Sequence, residues 1–132
     1  MKIVALDYGA ARTGVAVSDP TGTLARPLCV VERAGSGAGL ARLARLVGEE
    51  DAERVVVGLP LTLRGERGAQ AAETERFIDA LRRVIDVPVE SFDERFTTVL
   101  AAQEPASDTP EDARAAAHLL SGYLAWLGAR AT

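Results

Sequence analysis

Ile3-Val4-Ala5-Leu6-Asp7-Tyr8-Gly9 is the stretch that decides the fold of this 132-residue chain. Four apolar residues in succession leave no polar face, which is the pattern of a strand covered on both sides of a sheet. An acid follows at once, and then a glycine that admits a tight turn. In open α/β sheets ligands gather where the central strands end, so Asp7 stands at the most informative edge of the molecule.

Outward from this strand, Gly9 and Gly14 bracket a turn, and Val15-Ala16-Val17-Ser18 reads as a second strand ending at Asp19-Pro20. Thr21-Gly22 turns the chain into a third strand over Pro27–Val31. Connections this short predict an antiparallel meander of the first three strands. Gly35-Ser36-Gly37-Ala38-Gly39 is glycine-rich but has no Walker lysine, and it reads as a linker. Leu40, Leu43, Leu46 and Val47 recur at helical spacing. Val55-Val56-Val57-Gly58-Leu59-Pro60 is a buried strand stopped by proline. After the polar loop at 64–68 comes a helix carrying Phe77, Ile78, Leu81, Val84 and Ile85. A fifth strand follows over Val87–Phe92, then a short helix from Thr98 to Gln103 and a last helix from Pro110 to about Leu127. Strands separated by helices are parallel, and right-handed crossovers set the fourth and fifth beside the first. The expected architecture is a five-stranded mixed sheet flanked by helices, one domain spanning residues 1–132.

With 48% hydrophobic, 26% charged and only 5% aromatic residues, the chain has the profile of a soluble α/β protein packed by aliphatic side chains. No apolar run approaches the roughly 18–20 residues of a membrane span. Asp7 interrupts the first apolar stretch, so no signal peptide is expected there. The single Cys29 reads as a buried small hydrophobe in a reducing cytoplasm. A net charge of −4 argues against a protein that coats nucleic acid non-specifically, but leaves room for an enzyme with a local basic rim.

The acids are the informative chemistry. Asp7 ends the first strand, although an acid before Gly9 also serves as a turn cap. Asp93 and Glu94 follow the fifth strand at the same edge; a local ion pair with Arg95 is the plain alternative. Thr109-Pro110-Glu111-Asp112 fits a capped helix start. Yet Asp112 shares a helical stripe with Ala116, Leu119, Tyr123 and Leu127, which places it at the leading end of a core-facing surface. Three carboxylates meeting at one edge repel one another unless a cation neutralises them, and oxygen-only ligands suit Mg²⁺ or Mn²⁺. Two such ions support phosphodiester hydrolysis. His118, the only histidine, lies off the apolar stripe and reads as a surface residue.

These residues also carry a family resemblance. Leu6-Asp7-Tyr8-Gly9 with Arg12, Gly14 and Val17-Ser18-Asp19-Pro20; Val56–Leu61 with Gly65, Gly68 and Gln70; Asp93-Glu94-Arg95-Phe96-Thr97-Thr98; and Asp112 through Ala115-Ala116, Leu119-Leu120 and Tyr123-Leu124 occur in order along the chain. The sequence thereby resembles the YqgF/RuvX family of pre-16S rRNA nucleases and Holliday junction resolvases, within the RNase H-like superfamily. The resemblance implies an RNase H-like fold and an acidic triad of Asp7, Glu94 and Asp112 as catalytic and metal-binding residues, holding two Mg²⁺ or Mn²⁺ ions. Arg12, Gln70, Arg95, Thr97 and Thr98 become substrate-binding candidates, and the partner becomes structured RNA or branched DNA. A symmetric junction favours a homodimer, although no segment reads as a dimer helix. Where many RNase H-like nucleases carry an acid after the fourth strand, this chain has Gly58-Leu59-Pro60, and the missing carboxylate falls to Glu94.

Two departures stand out. The segment before Asp112 is short and acidic (Gln103-Glu104-Pro105-Ala106-Ser107-Asp108) where relatives are longer and basic, and Ser121 replaces a common glutamine. A non-catalytic factor of the same fold, associated with RNA or the ribosome, is therefore the competing reading. Phosphate-binding ATPase modules of the actin and sugar-kinase type share the Asp-x-Gly strand end but need several hundred residues.

Overall fold

Period-two alternation along the strands divides the core into two layers, one on each face of a single sheet. The computed structural model describes residues 1–60, 68–93 and 110–131, with the backbone alone for Ala131. The elements are β1 (Ile3–Asp7), β2 (Arg12–Ser18), β3 (Ala25–Glu32), α1 (Gly37–Glu49), β4 (Arg54–Leu59), α2 (Ala69–Arg82), β5 (Val89–Asp93) and α3 (Glu111–Ala131). The sheet runs β3-β2-β1-β4-β5. β2 is antiparallel to β1 and β3, while β4 pairs parallel with both β1 and β5. This is the five-stranded mixed sheet with a central first strand that the sequence predicts.

On one face Val4, Leu6, Val15, Val17, Val31, Val55 and Val57 pack against Leu43 and Val47 of α1 and Phe77, Ile78 and Leu81 of α2. On the other, Ile3, Ala5, Ala16, Val56 and Phe92 pack against Ala116, Leu119, Leu120 and Tyr123 of α3. Each fully buried aliphatic side chain contributes about 1.5–3 kcal/mol relative to exposure. The α3 side of the sheet is lined by small residues at Ala5, Gly14 and Ala16, so that helix can lie close to β1 and β2. Its far end is held by polar contacts: Tyr123 Oη accepts from Arg54 Nη1 at 2.8 Å and donates to Glu90 Oε2 at 3.1 Å. Arg54 also pairs with Glu90, Nε to Oε1, at 3.2 Å.

Several sequence expectations change in detail. Gly14 is not a turn residue but lies inside β2, which starts at Arg12. β3 is longer at both ends than Pro27–Val31, and β5 begins at Val89 rather than Val87. α2 ends at Arg82, so Ile85 is buried from the following loop and Val84 is exposed. α3 continues past Leu127 to Ala131, because the sequence there holds no proline and its one glycine, Gly128, still fits a helix. His118 and Cys29 are half-buried rather than surface and core, respectively. Burial pushes the Cys29 thiol pKa up. The short helix expected over 98–103, the Thr109 cap, Leu61 and Gly65 lie outside the described residues.

Candidate nuclease site at the carboxyl edge of the sheet

Asp7 is the last residue of β1, and its register partner on β2 is Gly14. Ile3 and Ala5 face α3, so the pleat carries Asp7 to that same face. Gly14 explains how α3 reaches it. A Cβ built on Gly14 would lie 1.8 Å from the backbone oxygen of Asp112, so only a glycine admits the first turn of α3 here. Asp7 and Asp112, 105 positions apart in the chain, thereby share one patch of the sheet edge. Arg12, at the start of β2, closes it: its Nε lies 3.4 Å from Asp112 Oδ2, with side chains 66% and 40% exposed. Such an open ion pair is weak and readily exchanged for another partner.

The turn between β1 and β2 is braced from below. Tyr8 points to the opposite face, stacks on Phe77 with ring centroids 4.3 Å apart, and its hydroxyl donates to Glu73 Oε1 at 3.4 Å. Burial, with the neighbouring Glu73 charge, raises the Tyr8 pKa. The buried Thr13 hydroxyl sits 3.4 Å from both the amide and the carbonyl of Gly9. Asp7 is thus followed by a turn anchored to α2, which limits how far its carboxylate can wander.

The edge is electrostatically suited to an anion. Arg33 N–H donates to Ala11 O at 3.0 Å, which sets the end of β3 and the start of α1 at this edge. Glu73 near Tyr8 places the first turns of α2 there, and Asp112 places α3 there. The N-terminus of α3, which carries roughly half a positive charge, lies beside these carboxylates, while α1 and α2 approach the edge from the opposite face of the sheet.

The other sequence-predicted residues divide. Asp93 ends β5 opposite Leu59, two strands from β1 and so about 10 Å away in the sheet at roughly 4.8 Å per strand. It shares the parity of Val89, which packs on the α2 side, so the pleat sends it to the face opposite Asp7. Gln70 is exposed in the first turn of α2; its carbonyl accepts from the Thr74 hydroxyl at 2.9 Å. Glu94, Arg95, Thr97 and Thr98 lie outside the described residues. Among the described residues no group of three or more His, Cys, Asp or Glu side chains comes together as a metal site. The pair Asp7 and Asp112 nevertheless fits a hard divalent cation: the donors are carboxylate oxygens, they are partly exposed, and Gly14 leaves the space between them free of a side chain. The role of Gly14 was missed in the sequence, where a glycine near a turn looks like part of it. Its signal is a side-chain-free position inside an otherwise regular Thr13–Val17 strand.

No helix among the described residues is long and apolar enough to cross a membrane. A relative from Chloroflexus aggregans, named "Putative pre-16S rRNA nuclease", is 52% identical over 101 residues, covering 76% of this chain and 71% of its own length. One of the same name from Desulforamulus reducens is 37% identical over 132 residues, covering 94% and 96%. Among solved structures, T. thermophilus RuvC in complex with a Holliday junction substrate superposes with a TM-score of 0.62 at 20% identity, covering 97% of this chain and 96% of RuvC. The fowlpox virus Holliday junction resolvase gives 0.57 at 13% identity, covering 96% and 99%. At these identities the structural likeness speaks for the fold alone. A family profile described as RuvX, Holliday junction resolvase, matches residues 1–126, and the chain belongs to that family.

Proposed function

We propose that this chain is a divalent-metal-dependent endonuclease that hydrolyses phosphodiester bonds in structured nucleic acid, in pre-16S rRNA 5′-end processing or Holliday junction resolution, as one domain working in the cytoplasm. The observation that carries this reading is the meeting of Asp7 and Asp112 across Gly14 at the carboxyl edge of the sheet. Two carboxylates from distant segments brought to one partly exposed edge, beside the N-terminus of α3, are what a hard cation and a phosphate require.

Asp7 and Asp112 would hold Mg²⁺ or Mn²⁺, with Glu94 as the third carboxylate. Glu94 follows directly on Asp93, the last residue of β5. When bound, two such ions lower the pKa of a water and stabilise the leaving oxygen. The chain's own residues bind and orient the substrate. Arg12 exchanges Asp112 for a backbone phosphate, while Gln70, Arg95, Thr97 and Thr98 are the further contacts we assign. The N-terminus of α3 favours the polyanion at an edge of a molecule whose net charge is −4.

A second reading, a nucleic-acid-associated factor without efficient chemistry, is favoured by the short acidic stretch Gln103–Asp108. A side-by-side assay with Mg²⁺ or Mn²⁺ on a four-way DNA junction, a DNA duplex, an RNA stem and single-stranded RNA separates the two. Metal-dependent cleavage is expected on at least one structured substrate. Asp7→Asn and Asp112→Asn should each abolish it and weaken Mn²⁺ binding, with unchanged circular dichroism. Full metal-dependent cleavage by both variants refutes the site.

A further inference from the structure

The joint between β3 and α1 carries cationic side chains that the site above does not use. Arg33 follows β3 with its backbone in the left-handed region, φ 47°. Its N–H donates to Ala11 O, and its carbonyl accepts from the Ser36 N–H at 3.0 Å and the Ser36 hydroxyl at 2.7 Å. A Cβ on Gly39 would lie 2.2 Å from that same carbonyl, so the first turn of α1 presses directly on the joint. Arg33 is thus held beside the β1–β2 turn, on the strand pair where Arg12 faces Glu32.

Arg42, a little over one turn into α1, lines the same cleft of about 480 Å³ as Arg33. Both arginines are exposed, and neither has an ion-pair partner among the described residues. Lys2, Arg26, Arg54 and Arg82 do have such partners. The only acid lining the cleft is Glu32. With Arg12, itself paired with Asp112, next to it, this part of the edge holds three guanidinium groups against the carboxylates of Glu32 and Asp112, and Arg33 and Arg42 are the two cations left over, in a chain that is acidic as a whole. Guanidinium groups gathered in this way repel one another unless a polyanion lies across them, and their planar forks match phosphate oxygens.

We propose that the cleft between the end of β3 and the first turns of α1, walled by Arg33 and Arg42, binds the phosphodiester backbone of a nucleic-acid arm leaving the Asp7–Asp112 edge past Arg12. The direction of that arm rests on the function proposed above. The contact itself is phosphate binding and involves no hydrolysis.

Binding is measured by fluorescence anisotropy in EDTA over a range of salt, with a four-way DNA junction in one arm and an RNA stem in the other. The proteins are the wild type, Arg33→Ala/Arg42→Ala, and a control, Arg26→Ala/Arg83→Ala, which removes equal charge at the far end of the sheet. Each lost phosphate contact flattens the plot of log affinity against log salt by about 0.9 on duplex DNA, so the cleft variant should be shallower by about 1.8. Its affinity should fall at least about tenfold at low salt, with the control unchanged. Loss on either probe supports the cleft and identifies which nucleic acid it grips. An unaltered slope on both probes, an equal effect in the control, or a wild type that binds neither probe overturns the proposal. If the wild type binds as expected but cleaves nothing with Mg²⁺ or Mn²⁺, the hydrolytic reading falls and the cleft stands. If it cleaves and the slopes are unaltered, the cleft falls alone.

Discussion

Replacing Gly14 by alanine tests how the two carboxylates are brought together. The added methyl would sit 1.8 Å from Asp112 O, 2.3 Å from its carbonyl carbon and 3.0 Å from Ala113 N, whereas ordinary contact begins near 3.4 Å. Every one of these atoms is backbone, so no side-chain rotation relieves the clash, and the first turn of α3 must retreat by about 1.6 Å. The helix cannot simply slide away, because Tyr123 ties its other end to Arg54 and Glu90. Overpacking of this kind costs about 1–3 kcal/mol. At about 4 °C per kcal/mol for a chain of this size, the thermal midpoint should fall by about 4–12 °C. Metal ligands tolerate displacements of about 0.2 Å, so Mn²⁺ affinity should drop with it. Cleavage should fall about a hundredfold, the usual consequence of misplacing a reacting group by about 1 Å. Thermal melts followed by circular dichroism, a Mn²⁺ titration and the cleavage assay read the three effects. Gly128→Ala is the contrast: nothing lies within 4 Å of its added methyl, and it should stabilise α3 by about 0.5–1 kcal/mol. A Gly14→Ala protein that melts within 1 °C of wild type and keeps its metal affinity would refute the close approach of α3 to β2, taking about 1 °C as measurement error.

Two further outcomes follow from contacts away from the site. The Asp19 carboxylate accepts from the Leu24 and Thr23 amides at 2.9 and 2.8 Å and from the Thr21 hydroxyl, and these bonds, Leu24 first, lower its pKa from 3.8 to about 2. A depressed acid contributes stability that is present above the unfolded value and lost as pH falls through the folded one. Asp19→Asn should therefore flatten the melting temperature between about pH 4 and pH 2, and an acid profile identical to wild type would remove Asp19 as a contributor. Tyr123→Phe keeps the ring against Phe92 but deletes the hydroxyl that joins Arg54 and Glu90. It should cost about 0.5–1.5 kcal/mol in urea unfolding, with the midpoint shifted and the slope unchanged; an unshifted midpoint would mean the hydroxyl adds nothing.

Much of the fold was legible because its signals are local. Ile3–Leu6 and Val55–Val57 read as strands covered on both faces, and Leu40, Leu43 and Val47 have a helical period that no strand reproduces. Chain connectivity then dictated a meander followed by parallel crossovers, which the sheet order reproduces. Element ends were less legible: α2 stops at Arg82 although Ile85 continues its apolar rhythm, because a loop residue can fill the core as well as a helical one. Of the candidate site, the placement of Asp7 was legible from its position at a strand end and that of Asp112 from its helical phase. The face taken by Asp93 was not legible in the sequence, since only strand register states it.

For the described elements the sequence by itself determined the types, their order and the acid that ends the first strand, because hydrogen-bonding period and side-chain burial are settled over a few neighbouring residues. Only the tertiary structure decided that Asp7 and Asp112 share a face, that Gly14 is the empty position between them, and that Arg12, Arg33 and Arg42 line one edge. Those are distances between segments far apart in the chain, set by strand register and by how closely one helix can approach the sheet, and no local pattern encodes them.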